Sequence, residues 1–224
     1  MTTSLQQRVP IGTELVLATA MRELAADMVA FATLLESSPL SPAPVFPILV
    51  VPYRSQWDAD GSDFASDCGP ACVAMVLEHY GVRIDINQLS REAGMTVSRP
   101  YTLPVELIRA AMLHGVTLER RLPCVVSDLA IELDAGRPVI VLLHYGSINN
   151  RQDTNYTKGH WVVVVGVDET VVYIHDPNWR GDRRDNGRAL AISRAIFDEA
   201  WEKCALDGNS ARQCLMVVRG GRAG

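Results

Sequence analysis

Trp161-Val162-Val163-Val164-Val165-Gly166-Val167 constrains this chain more than any other segment. A short run dominated by β-branched residues shows no helical stripe and reads as a strand. A second run, Val171-Val172-Tyr173-Ile174-His175, follows after only Asp168-Glu169-Thr170, so the pair should form a hairpin. Further strands are expected over 139–145 and 214–219, with a short β-type run at 48–53. Helical spacing and stop signals predict helices over 70–80, 87–93, 103–114, 127–135 and 193–203. Gly81, Gly115 and Gly136 end three of them, and Thr102 is the cap candidate for a fourth. Helices cluster first and strands second, which argues for an α+β fold with an antiparallel sheet, not a doubly wound parallel one.

The 224 residues suit one domain with an appendage. Leu17, Met21, Leu24, Met28, Phe31 and Leu35 form one stripe on an amphipathic helix over 13–36. Such a stripe serves either to pack on the main domain or as a self-association seam. Ser37-Ser38-Pro39-Leu40-Ser41-Pro42-Ala43-Pro44 then reads as a linker. The expected division is 1–45 as appendage, 46–219 as the domain proper and 220–224 as a tail. A net charge of −5 disfavours binding to nucleic-acid phosphates. Glu14, Arg22, Glu23 and Asp27 interrupt the first apolar stretch, so neither a signal segment nor a membrane span is expected there.

The five cysteines, at 68, 72, 124, 204 and 214, are odd in number and include no CxxC pair. Free thiols in a reducing, cytoplasmic setting are the expectation. The cysteines and the histidines at 79, 114, 144, 160 and 175 lack zinc-type spacing, and no phosphate-binding glycine loop occurs. No metal or organic cofactor is therefore implied. Asp58-x-Asp60-x-Ser62 starts like a calcium loop, but Gly69 stands where the twelfth-position carboxylate belongs. A solvated acidic loop is the reading.

One cysteine stands apart. Cys68 precedes Pro70, a residue favoured in a helix's first turn, and a helix start stabilises a thiolate. Gly69 would clear bulk beside the sulfur for a substrate backbone, and Cys72 falls on the core side of the helix. A thiolate nucleophile needs a base, and the base needs an orienting acceptor. His160 and Asp176 end the two hairpin strands. Register decides whether they meet: a three-residue loop, or an equivalent bulge, puts both on one face, and an even loop separates them. His175 and His144 are read as structural. Gln56 is the candidate second donor to an oxyanion, beside the Cys68 N–H. The charged run from Arg180 to Asp185 could hold an anionic substrate end or be a mixed-charge surface loop.

Val51-Pro52-Tyr53-Arg54-Ser55-Gln56, Asp67-Cys68-Gly69-Pro70-Ala71-Cys72 through Tyr80-Gly81, Gly159-His160-Trp161-Val162-Val163-Val164 and Ile174-His175-Asp176-Pro177 occur in this order over roughly residues 48–180. With them the chain resembles the bacteriocin-processing, double-glycine leader peptidase family of papain-like cysteine peptidases, in its stand-alone branch without a transporter. The resemblance implies a papain-like fold, a helical lobe packed on a twisted antiparallel sheet. It implies Cys68 as nucleophile, His160 as base, Asp176 as orienter and Gln56 in the oxyanion hole. The reaction it implies is cleavage of a peptide or amide bond in a peptide or protein substrate. Amide ligation, in which an amine replaces water, and a non-catalytic peptide-binding module are the alternatives. Asp58–Ser66 reads as an insertion that could line or cover the cleft.

Overall fold

In the computed structural model, residues 16, 19–29, 48–61, 63–64, 66–204, 212 and 214–220 are described. The chain divides into two compact units, Met1–Val45 and Phe46–Gly224. The first holds a helix, α1, over residues 19–29. The rest of the helix expected over 13–36, the linker after it and residues 221–224 lie outside the described residues. In the second unit the helices are α2 (Cys68–His79), α3 (Ile86–Glu92), α4 (Pro104–Leu113), α5 (Val126–Asp134) and α6 (Arg194–Lys203). Its strands are β1 (Val116–Arg121), β2 (Val139–His144), β3 (Gly159–Val167), β4 (Val171–His175), β5 (Leu190–Ser193) and β6 (Cys214–Gly220). All six join one antiparallel sheet in the order β1-β6-β2-β3-β4-β5, so the fold is α+β.

The helices cover both faces of that sheet. Residues of α2, α3 and α4 pack with Ile140, Leu142, Trp161, Val163, Val165 and Leu215. On the other face Leu129 of α5 and Phe197 and Trp201 of α6 pack with Val141, Leu143, Val162, Val164 and Ile174. Alternate β3 residues thus enter different cores, and the apolar run is continuous because the strand is buried on both sides. Among the described residues no helix is long and apolar enough to cross a membrane.

The β3–β4 hairpin reaches the register needed for a shared face through a bulge. Val167 pairs with Val172 and Gly166 with Tyr173, but beyond Val165 the pairs are Val164 with Ile174 and Val163 with His175. Val165 is the extra residue. Its carbonyl accepts the Leu49 N–H at 2.7 Å. Without that residue Asp176 would stand opposite Val163 and face away from His160.

Several local expectations need correction. Among the described residues, 48–53 forms no strand; beyond the Leu49 bond it is held by histidines, His175 Nε2 donating to Val51 O at 2.9 Å and His79 Nδ1 lying 3.1 Å from Val50 O. The sheet's two edge strands, β1 and β5, were not expected. β1 alternates buried Val116 and Leu118 with exposed Thr117 and Glu119, and β5 has only four residues, so neither carries a strong apolar signal. Thr102 does not cap α4; the Glu106 carboxylate accepts the Leu103 N–H at 2.8 Å instead. The five cysteines are not all free thiols: Cys124 and Cys214 form a disulfide. Pairing of Arg121 with Cys214 brings the end of β1 to the start of β6, with Cα atoms 6.8 Å apart, a proximity hidden by 90 residues of sequence. Cys68, Cys72 and Cys204 remain free, and a reducing compartment loses one of its supports.

Candidate active site

Cys68 is the first residue of α2 and is buried, with 8% of its surface exposed. The preceding Asp67 fixes the helix start from inside the fold. Its carboxylate accepts from Ser90 Oγ at 3.0 Å and Phe64 N at 3.1 Å, and its carbonyl accepts from Ala71 N at 2.9 Å. Gly69 has a different use from the one expected. A Cβ there would strike the Thr102 hydroxyl and lie 3.0 Å from Leu107, so the glycine permits close packing of α2 against α4 and does not clear room for substrate. Cys72 is fully buried, and burial pushes its thiol well up.

His160 lies near the start of β3, opposite Leu143 of β2. Its Nε2 meets Asp176 Oδ1 at 2.7 Å. Cys68 lines the same cavity and adds to the interactions that favour the protonated ring. Burial alone would depress this imidazole. The Asp176 charge and hydrogen bond, reinforced by Cys68, outweigh it and hold the pKa at about 10. The buried carboxylate thus favours the protonated ring.

The carboxylate that charges it is fully buried and well supplied with donors. Asn178 N donates to Asp176 Oδ1 at 2.9 Å, Trp179 Nε1 to Oδ2 at 3.1 Å and the Tyr145 hydroxyl to Oδ2 at 3.4 Å. Behind it, the Tyr53 hydroxyl donates to the Asp176 carbonyl at 2.9 Å. Burial and the Asp176 charge raise both tyrosines well above the usual phenol range, so each stays a neutral donor. Tyr145 also packs on His160, with ring centroids 4.5 Å apart.

Gln56 is buried, and its N–H donates to Pro177 O at 2.9 Å, just beyond Asp176. It shares a cavity of about 250 Å³ with Cys68, His160, Trp57, Asn178 and Arg180. A second cavity, about 410 Å³, opens on the other side of Cys68, with Pro100, Tyr101, Leu142 and Trp161 on its walls. Cys68, His160 and Gln56 thus line one cleft, and the fourth predicted residue, Asp176, stands buried behind His160. The Asp58–Ser66 loop is pinned largely away from it. Arg184 grips Asp58 with two N–H donors at 2.6 and 2.7 Å, Arg54 pairs with Asp60, and Arg91 meets Asp63 at 3.0 Å. These carboxylates are ion-paired, not simply solvated, and among the loop's described residues Ser66 lines the cleft.

Sequence reasoning missed Tyr145, Trp179, Tyr53 and Gly187. Tyr145 could have been found by parity: two residues past Leu143, it shares the face of His160 once β2 and β3 are aligned. Gly187 had no local signal. A Cβ there would collide with the Asp176 carbonyl and the Tyr53 hydroxyl and lie 2.7 Å from Trp179 Cδ1. His175 and His144 sit off the site as expected. His175 accepts from Ala189 N at 3.0 Å and is held below the usual imidazole range by burial, and His144 Nδ1 lies 3.0 Å from Ser147 Oγ.

Residues 48–205 match the model of the Peptidase_C39 like family. Among curated proteins, one described as a microcin-H47 secretion/processing ATP-binding protein, MchF, of Escherichia coli is 27% identical over 113 residues. That match covers 50% of this chain but 13% of the much longer relative. Among solved structures, a C39-like peptidase from Bacillus anthracis superposes with a TM-score of 0.57 at 19% identity, over 78% of this chain and 98% of that one. The peptidase domain of Streptococcus ComA, a bifunctional ABC transporter involved in quorum sensing, gives 0.52 at 19% identity, over 74% and 96%. At such identities the structures speak for the fold, and the family model speaks for descent over most of the chain: it belongs to the Peptidase_C39-like family of cysteine-type peptidases.

Proposed function

We propose that this chain hydrolyses a peptide bond through an acyl-thioester on Cys68. The observation that carries the proposal is buried His160, bonded through Nε2 to the Asp176 carboxylate and lining one cleft with Cys68 and Gln56. The Cys68 thiolate, paired with the imidazolium, attacks the scissile carbonyl. The Cys68 N–H and the Gln56 side chain receive the oxyanion. The tetrahedral adduct collapses as His160 passes its proton to the leaving amine, so the C–N bond breaks and the thioester remains. Water then attacks the thioester, giving one proton to His160. The C–S bond breaks, the acid leaves, and the thiolate–imidazolium pair is restored. These steps use only the four side chains, backbone and water.

Asp176 acts through His160, fixing the ring and its charge, and is a positioning residue. The described role of MchF in secretion and processing supports a peptide substrate. Cys68→Ala should abolish cleavage of a peptide library read by mass spectrometry, and a thiol-reactive probe at neutral pH should label Cys68 ahead of buried Cys72 and Cys204. Undiminished cleavage by a clean Cys68→Ala preparation would end the proposal.

A further inference from the structure

The cavity beside His160 carries a positive charge that this chemistry does not use. Arg180, exposed and four residues beyond Asp176, lines it together with Gln56, Trp57 and Asn178. Its guanidinium carbon lies over the Trp57 ring, 4.8 Å from the centroid. Trp57 is itself anchored, its indole N–H donating to Asn178 Oδ1 at 3.0 Å. Stacking of this kind orients a guanidinium and leaves its forked N–H edge available to a planar anion. The neighbouring arginines are otherwise engaged: Arg184 grips Asp58, and Arg183 lies 4.7 Å over Trp179. Among the described residues Arg180 makes no ion pair. Asp153, the acidic residue on the same cavity wall, turns its Oδ1 back to the Asn155 N–H at 2.9 Å.

The proton path says which half of a substrate would pass Arg180. His160 must reach the departing amine, so the amine half runs along the cavity that His160 lines. The second cavity, with its apolar walls, is left for the acyl half. We infer that Arg180 binds a carboxylate on the leaving-amine side of the cleaved bond. That carboxylate is either an Asp or Glu side chain shortly after the cut or the free C-terminus of the peptide. The inference rests on the peptidase reading above.

The test incubates wild type, Arg180→Gln, Arg180→Glu and Cys68→Ala, each as the full chain, with a peptide library. The library is made once with free and once with amidated C-termini, and the new N-termini are read by mass spectrometry. Wild type should favour Asp and Glu over Asn and Gln just after the cut by about fivefold, the scale of one partly exposed ion pair. If the terminal carboxylate is the ligand, the same factor should separate free-acid from amidated peptides. Either preference should vanish in Arg180→Gln, and Arg180→Glu should turn it toward Lys and Arg or toward the amides. Cleavage that depends on Cys68 but shows no anion preference, or a preference that survives Arg180→Gln, overturns this inference and leaves the peptidase reading intact. A library that wild type leaves uncut overturns both.

Discussion

Asp176 is the residue on which the site's electrostatics turn. Burial by itself would favour the neutral ring, yet the His160 pKa is pushed up to about 10 because one carboxylate with three side-chain and backbone donors besides the imidazole stands 2.7 Å from it. The unfolded chain releases the same proton near the ordinary value of 6.5. The folded-state pKa is thus raised, so this contribution to stability is fully present below pH 6.5 and is lost as pH climbs toward 10. Asp176→Ala should lower kcat/KM by about a hundredfold, the lower end of acid–base contributions. Asp176→Asn keeps an acceptor oxygen and should recover part of that rate, but without the negative charge the alkaline limb of its pH–rate profile should move well below 10. A profile in which both variants keep the wild-type alkaline limb would show that Asp176 does not set the charge of His160.

Among the elements, the 176–187 connection decides whether that carboxylate is held. Tyr53, Trp179 and Gly187 close on one another with no room for a methyl group. Gly187→Ala should cost about 1–3 kcal/mol, as overpacking does, and slow peptide cleavage. Urea denaturation and initial rates would measure both, and a variant as stable and active as wild type would show the crowding relieved elsewhere. The same neighbourhood explains how much of the molecule was legible in advance. Cys68, His160 and Asp176 each sit at or just beyond the end of a regular element with a strong local pattern, so spacing made them candidates and the family resemblance joined them into one site. Of the two routes to a shared face, an odd loop or an equivalent bulge, the hairpin takes the bulge, at Val165. Tyr145, Tyr53 and Gly187 matter through contacts far apart along the chain, and the edge strands β1 and β5 are too short or too polar for periodicity to reveal. The Cys124–Cys214 pairing escaped for the same reason: it depends on β1 meeting β6.

Across the second unit as a whole, that disulfide closes 90 residues of chain, including β2, β3 and β4. Reduction, or Cys124→Ala with Cys214→Ala, should lower unfolding stability by about 2–4 kcal/mol, and reductant should not shift the double variant further. Urea midpoints with and without reductant check this; equal midpoints for the wild type would remove the disulfide's contribution. The segment from Leu49 to Gln56 binds the unit together differently. Leu49 bonds the bulge, Val51 accepts from His175, Tyr53 reaches Asp176, Ser55 Oγ donates to Pro177 and Trp179 carbonyls, and Gln56 N follows at Pro177 O. Partners in these contacts stand as many as 124 residues apart. During synthesis the proposed nucleophile and its helix therefore leave the ribosome long before the residues proposed to activate it. Closing contacts of that span is slow, so on the proposed mechanism the nascent chain carries Cys68 unarmed, and cleavage would begin only when the last third of the domain has folded back onto the first.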